Sequence, residues 1–210
     1  MRFAELDAVT VDGYGTLLRL IDPVPALRAA LVERGVKRTD EAVARAFRAE
    51  VAYYRPRALE GRDPDSLAVL RRGCVRVFLH ELGDPLESDA FVNAFMGGLV
   101  FEEVPGASET LRQLRDRGLK LGVVANWDCA LPDELERLGL AALVDTVVTS
   151  ARAGVAKPDP RIFEVALSEL GATAERALHV GDEPCDEEGA RAAGLAFASA
   201  PLSTALAAWS

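Results

Sequence analysis

From about residue 100 onward the chain alternates short apolar runs with amphipathic helical patterns, and this alternation constrains the fold more than any other feature. Residues 119–125, 144–149, 177–180 and 195–199 read as strands. Residues 108–117, 132–138, 160–170 and 187–193 read as the helices between them. Strand–helix alternation of this kind means a parallel sheet with right-handed crossovers. One more apolar run, Val9-Thr10-Val11, stops at Asp12 and enters a loop with two glycines, Gly13-Tyr14-Gly15-Thr16-Leu17. It must join the same sheet, because residues 23–99 offer no strand to pair with it.

That intervening segment reads as helical throughout. Ala26, Leu27, Ala30, Leu31 and Val36 form one amphipathic run. Thr39-Asp40-Glu41 opens a second through Phe47, Val51 and Tyr54. Asp63-Pro64-Asp65-Ser66 starts a third, through Leu70, Val77 and Leu82, which Gly83-Asp84-Pro85 stops. A fourth spans residues 87–96 and ends at Gly97-Gly98. The expected fold is α/β: a Rossmann-like, doubly wound parallel sheet core over residues 1–18 and 100–210. An all-helical domain, residues 19–99, is inserted after the first strand.

A length of 210 residues, half of them apolar, suffices for a sizeable core. The formal net charge of -9 argues against nucleic-acid and acidic-membrane partners, which need a basic face. Cys74, Cys129 and Cys185 are odd in number and have no metal-ligand spacing, so a reduced, cytoplasmic setting is expected. Residues 1–5 read as entering a strand rather than as a secretion signal, and no apolar run approaches transmembrane length.

A buried strand that ends in a carboxylate places it at the carboxyl edge of the sheet, where open α/β folds bind ligands. Val180-Gly181-Asp182-Glu183-Pro184-Cys185-Asp186 repeats the logic of Asp12. Aspartates from two strands at one sheet edge repel each other unless a cation or a proton intervenes. With oxygen donors and no His or Cys spacing for a softer metal, Mg2+ is the fitting ion. Asp186 also suits a simple helix cap. Lys157, in the stiff loop Gly154-Val155-Ala156-Lys157-Pro158-Asp159-Pro160, could hold a phosphate or a carboxylate as a point charge. Asn126, just past the strand 119–125, could donate to a substrate oxygen or simply shape a turn.

In this order, these segments resemble the haloacid dehalogenase-like hydrolase superfamily, with residues 19–99 in the place of its small helical cap. The resemblance implies that Asp12 is the nucleophile of a covalent aspartyl intermediate and Lys157 the third-motif lysine, with Tyr14 beside them in the catalytic loop. It implies a Mg2+ site of Asp12, Tyr14, Asp182 and Asp186, and substrate contacts at Thr16, Ala125, Asn126 and Arg48. Arg48 is a candidate cap arginine; Arg45 and Arg55 are equally placed.

Two positions depart from the phosphatase pattern. Tyr14 stands where the second aspartate of an Asp-x-Asp pair is usual, and Ala125 where a Ser or Thr is usual. Asp-x-Tyr-Gly-Thr-Leu resembles the 2-haloacid dehalogenase branch, whereas Gly181-Asp182 with Asp186 resembles the phosphatases. A phosphate monoester needs a general acid that a halide does not, and a phenol is a poor proton acceptor at neutral pH. Uncompensated acids, however, would repel an anionic haloacid outright. The expectation is therefore a Mg2+-dependent phosphatase on a small phosphorylated metabolite, slowed by Tyr14, acting as a monomer or dimer. The alternatives are a metal-independent 2-haloacid dehalogenase and a catalytically impaired member that binds a phospho-ligand or a protein.

Overall fold

The computed structural model describes residues 5–83 and 86–205; residues 1–4 and the Asp84-Pro85 helix stop lie outside them. Seven strands are present among the described residues: β1 (Ala8–Val11), β2 (Leu18–Leu20), β3 (Phe101–Glu103), β4 (Lys120–Ala125), β5 (Thr146–Thr149), β6 (Ala177–Gly181) and β7 (Ala196–Ser199). Ten α-helices among the described residues join them: α1 (Val24–Val32), α2 (Asp40–Tyr54), α3 (Pro64–Glu81), α4 (Ser88–Gly97), α5 (Ala107–Asp116), α6 (Leu131–Arg137), α7 (Ser150–Ala153), α8 (Arg161–Leu170), α9 (Pro184–Ala192) and α10 (Leu202–Ala205). The chain divides into two compact units, Met1–Arg19 with Glu102–Ser210, and Leu20–Phe101.

In the first unit five parallel strands are ordered β5-β4-β1-β6-β7. β1, β4 and β6 are almost wholly buried, which explains their near-continuous apolar sequences. Val11 pairs with Val123 on one side and with Val180 on the other. β1 and β6 therefore end within one residue of each other, and the residues that follow them leave the sheet at the same edge. The chain winds from β1 outward through β4 and β5, then returns beside β1 with β6. That reversal makes the β1–β6 edge a topological switch point, where open α/β sheets form ligand crevices. One layer of the core is α8, whose Ile162, Phe163, Ala166 and Leu170 pack with Val124 and Val148.

The second unit contains α1 to α4 around Leu27, Leu31, Val43, Phe78, Phe91 and Phe95. Phe95 meets Phe78 edge-on at 5.0 Å. Thr39 caps α2 by accepting from Ala42 N, and Asp63 caps α3 by accepting from Ser66 N, the helix starts that both sequences signal.

Three local features differ from the sequence reading. α1 stops at Val32, and Gly35 turns the chain at φ +79°, so Val36 lies beyond the helix. Ser150–Ala153 forms one helical turn, in a stretch to which the sequence pattern assigns no element. β2 and β3 pair as a separate two-stranded sheet; at three residues each they are too short to carry a period. Among the described residues no helix is long and apolar enough to cross a membrane.

Glu50 is the unusual residue of the helical unit: it lies on the buried face of α2 and is only 5% exposed. Burial pushes its carboxyl up to about 7, against the opposing hydrogen bond from Cys74. In the folded state it therefore keeps its proton over a pH range in which the unfolded chain has lost it. The contribution of Glu50 to stability should fall as pH rises from about 4.5 to about 7 and then level off. Glu50→Gln should raise stability at pH 8 by about 2–3 kcal/mol and change little at pH 5. Urea melts at the two pH values measure this; an equal effect at both would refute it.

Candidate active site

Asp12 is the first residue past β1, and its backbone N–H donates to Val180 O at 2.8 Å. This bond extends the β1–β6 ladder by one step and fixes the start of the loop. The Asp12 side chain is buried and accepts from the Lys157 ammonium, which also donates to Asp186. Lys157 is 5% exposed, although it comes from a loop. Its backbone is held at both ends by Asn126: Lys157 N donates to Asn126 Oδ1 at 2.7 Å, and Asn126 Nδ2 donates to Lys157 O at 3.0 Å. The residue after β4 thus sets the height of the lysine over the sheet edge.

Asp182 and Asp186 arrive from the other side of the switch point. Asp182, the first residue past β6, is exposed. It accepts from the buried Thr16 hydroxyl at 3.4 Å. Gly15, at φ +85°, brings the backbone so close to Asp182 that a Cβ there would overlap the carboxylate. Gly181 does the same for Asp186, which would collide with any side chain at that position. Asp186 caps α9 as well, accepting from Glu183 N at 3.0 Å, so the capping and site roles coexist in one side chain.

One oxygen from each of Asp12, Asp182 and Asp186 can be chosen so that all three lie within 4.8 Å of one another. Such an all-oxygen, anionic set fits a hard divalent cation. Burial raises the Asp12 carboxyl to about 7, the neighbouring carboxylates adding to it and Lys157 opposing. Burial works against the charge on Asp186 too, but the hydrogen bond from His179 and the Lys157 ammonium outweigh it and hold that carboxyl well below the usual range. Burial likewise opposes the charge on Lys157, yet Asp12 and Asp186 together raise its pKa above the ordinary lysine value. Burial and the charges of Asp186 and Glu183 raise Asp182. Two carboxylates share one ammonium, and a third stands beside them, so the cluster carries surplus negative charge.

The remaining sequence-derived positions lie as follows. Tyr14 is 42% exposed and its ring packs beside Trp127, with centroids 6.4 Å apart; it is not one of the clustered carboxylates. Ala125 is buried at the end of β4 with its methyl group toward Gly13. The Asn126 amide is engaged with Lys157 at both ends, which accounts for it as a positioning group. Thr16 has its hydroxyl on Asp182. Arg48 is exposed on α2, in the helical unit, whereas the clustered groups all belong to the sheet unit.

Sequence reading missed Thr10 and His179, which face each other across β1 and β6. The signal was present: a polar residue at the third position of two otherwise apolar, fully buried strands.

A doubly wound parallel sheet with a lysine-bridged aspartate cluster at its switch point defines a Rossmann-like α/β protein. The chain belongs to the haloacid dehalogenase-like hydrolase family, whose pattern it matches over residues 6–194. It is 41% identical over 124 residues to the mouse haloacid dehalogenase-like hydrolase domain-containing protein 3, covering 57% of this chain and 49% of that protein. It is 34% identical over 203 residues to the phosphoglycolate phosphatase of Rhodospirillum rubrum, covering 90% of this chain and 76% of the relative. Among solved structures, L-2-haloacid dehalogenase from Xanthobacter autotrophicus superimposes with a TM-score of 0.67 at 28% identity, over 92% of this chain and 77% of that one. The chain spans about half or less of the length of the first curated relatives it matches.

Proposed function

We propose that this chain is a Mg2+-dependent phosphatase that cleaves a small phosphate monoester through a covalent intermediate on Asp12. The observation that carries the reading is the cluster of Asp12, Asp182 and Asp186 around Lys157. Its surplus negative charge would repel a phosphate dianion unless a cation is shared between them. Bound by Asp12, Asp182 and Asp186, Mg2+ would supply that neutralisation.

The chemistry of the chain's own groups follows from their placement. An Asp12 oxygen attacks phosphorus, and the bond to the ester oxygen breaks with its electron pair, which takes a proton from water. A second water then hydrolyses the aspartyl phosphate, releasing phosphate and restoring Asp12. Lys157 opposes the effect of burial on Asp12, favouring the ionised form that attacks, and holds its carboxylate in one orientation. The phosphatase names among the relatives support the reaction class.

Tyr14 supports a second reading, a metal-independent 2-haloacid dehalogenase, which the fold likeness to L-2-haloacid dehalogenase favours. A halide leaves without a proton, so a phenol in that loop costs such an enzyme nothing. The acidic cluster weighs against it, since it would repel a haloacid anion.

Assays of p-nitrophenyl phosphate with Mg2+ or EDTA, and of 2-chloropropionate for chloride, separate the two. Phosphate release that EDTA removes is the expected result; chloride release that EDTA leaves intact would overturn it. A carboxylate at the Tyr14 position supplies a general acid, so Tyr14→Asp should raise phosphate release from an alkyl phosphate such as glycerol 2-phosphate by about 10²–10⁴-fold, and far less from p-nitrophenyl phosphate, whose phenolate leaves without a proton. An unchanged rate would refute this account of Tyr14.

A further inference from the structure

His179 is wholly buried in the middle of β6, directly opposite Thr10 of β1. Both ring nitrogens have partners: Nδ1 lies 2.9 Å from Thr10 Oγ1, and Nε2 lies 3.2 Å from Asp186 Oδ1. Phe163 meets the imidazole edge-on at 4.9 Å, and Phe197 lies 6.3 Å away, so the ring plane is fixed by packing. Gly181 leaves open the space that the Asp186 carboxylate occupies.

The proton positions follow from the partners. Asp186 accepts from the Lys157 ammonium on Oδ1 and from the Glu183 amide on Oδ2. An aspartate in that role is a carboxylate and has no proton to give. Nε2 must therefore be the donor to Asp186. A wholly buried ring packed against two phenyl groups, on a carboxylate already paired with Lys157, stays neutral, so Nδ1 is an acceptor and the Thr10 hydroxyl, able to rotate, donates to it.

We infer that His179 is a positioning residue: a neutral Nε2–H imidazole, locked in that tautomer by Thr10, that aims Asp186 at the Mg2+ site and at Lys157. It touches neither substrate nor metal and acts only through Asp186. The effect on Mg2+ rests on the reading under Proposed function; the tautomer does not. Partners of metal-binding carboxylates typically change metal affinity by about 10–100-fold when removed.

The test combines two measurements. Long-range 1H–15N correlation of the metal-free protein should show His179 protonated on Nε2 alone; a proton on Nδ1, or on both nitrogens, would overturn the assignment. Isothermal titration with Mg2+ should show binding weakened about 10–100-fold in His179→Leu and restored to within a few-fold in His179→Gln, whose amide nitrogen can replace Nε2–H. Wild-type affinity in His179→Leu, or equal losses in both variants, would overturn the positioning role. Circular dichroism checks that the variants fold. Should His179→Leu not fold, the comparison of His179→Gln with wild type and the tautomer still decide. A wild type that takes up no Mg2+ refutes the metal reading, while the tautomer, read without metal, independently decides the His179 assignment.

Discussion

Asp12→Asn should lower phosphate release by at least ~10⁴-fold while leaving the protein folded. The amide keeps the shape of the carboxyl but cannot attack phosphorus. Folding should survive, because the native carboxyl is itself pushed toward its neutral form by burial at the sheet edge. The substitution removes one buried like charge and leaves Lys157 paired with Asp186. Thermal stability should therefore be equal to or above that of the wild type, even as activity disappears. Activity lost together with folding would mean that Asp12 is structural. Retained activity would mean that another group attacks.

Lys157→Met is expected to damage both stability and turnover. The ammonium is the cation that bridges Asp12 and Asp186, and all three groups are buried. Removing one member of a buried ion pair leaves uncompensated charge, a loss of about 3–5 kcal/mol. For a chain of this size that corresponds to a fall in Tm on the order of 10 °C. Phosphate release should fall by about 10²–10³-fold, the usual effect of removing a preorganised charge at a reacting centre. The pH dependence follows from the two stranded carboxylates. Without the lysine both would bind protons more tightly in the folded state than in the unfolded one. The variant should then lose stability as pH rises, and its deficit against wild type should be smaller at pH 5 than at pH 8. Melting curves at both values check this; a deficit that does not change with pH would show that Lys157 contributes packing rather than charge.

How much of this site was readable in the sequence depended on how local its signals were. Asp12 and Asp182 could be placed because each follows an apolar strand directly, and a strand end fixes a sheet edge. Lys157 could be singled out only through the stiff loop in which Pro158 and Pro160 follow it, read together with the aspartates and the family resemblance; that its backbone is clamped by Asn126 requires two residues 31 apart to meet. The close approach of Gly15 to Asp182 is a tertiary fact with no sequence period behind it. His179 escaped notice because one histidine in an apolar strand reads as a core residue, and only its register against Thr10 and its reach to Asp186 distinguish it. The parallel sheet was legible from alternating elements. β2, β3 and the single turn of α7 were too short to stand out against a loop.

In the proposed reaction Asp12 carries the phosphoryl group during turnover. The direct measurement is acid quenching of the enzyme during turnover of p-nitrophenyl phosphate with Mg2+, followed by mass analysis of the peptide containing Asp12. The expected result is a phosphoryl group on Asp12 that is absent from Asp12→Asn and from samples treated with EDTA. Steady Mg2+-dependent phosphate release with Asp12 unmodified at every quench time would contradict it.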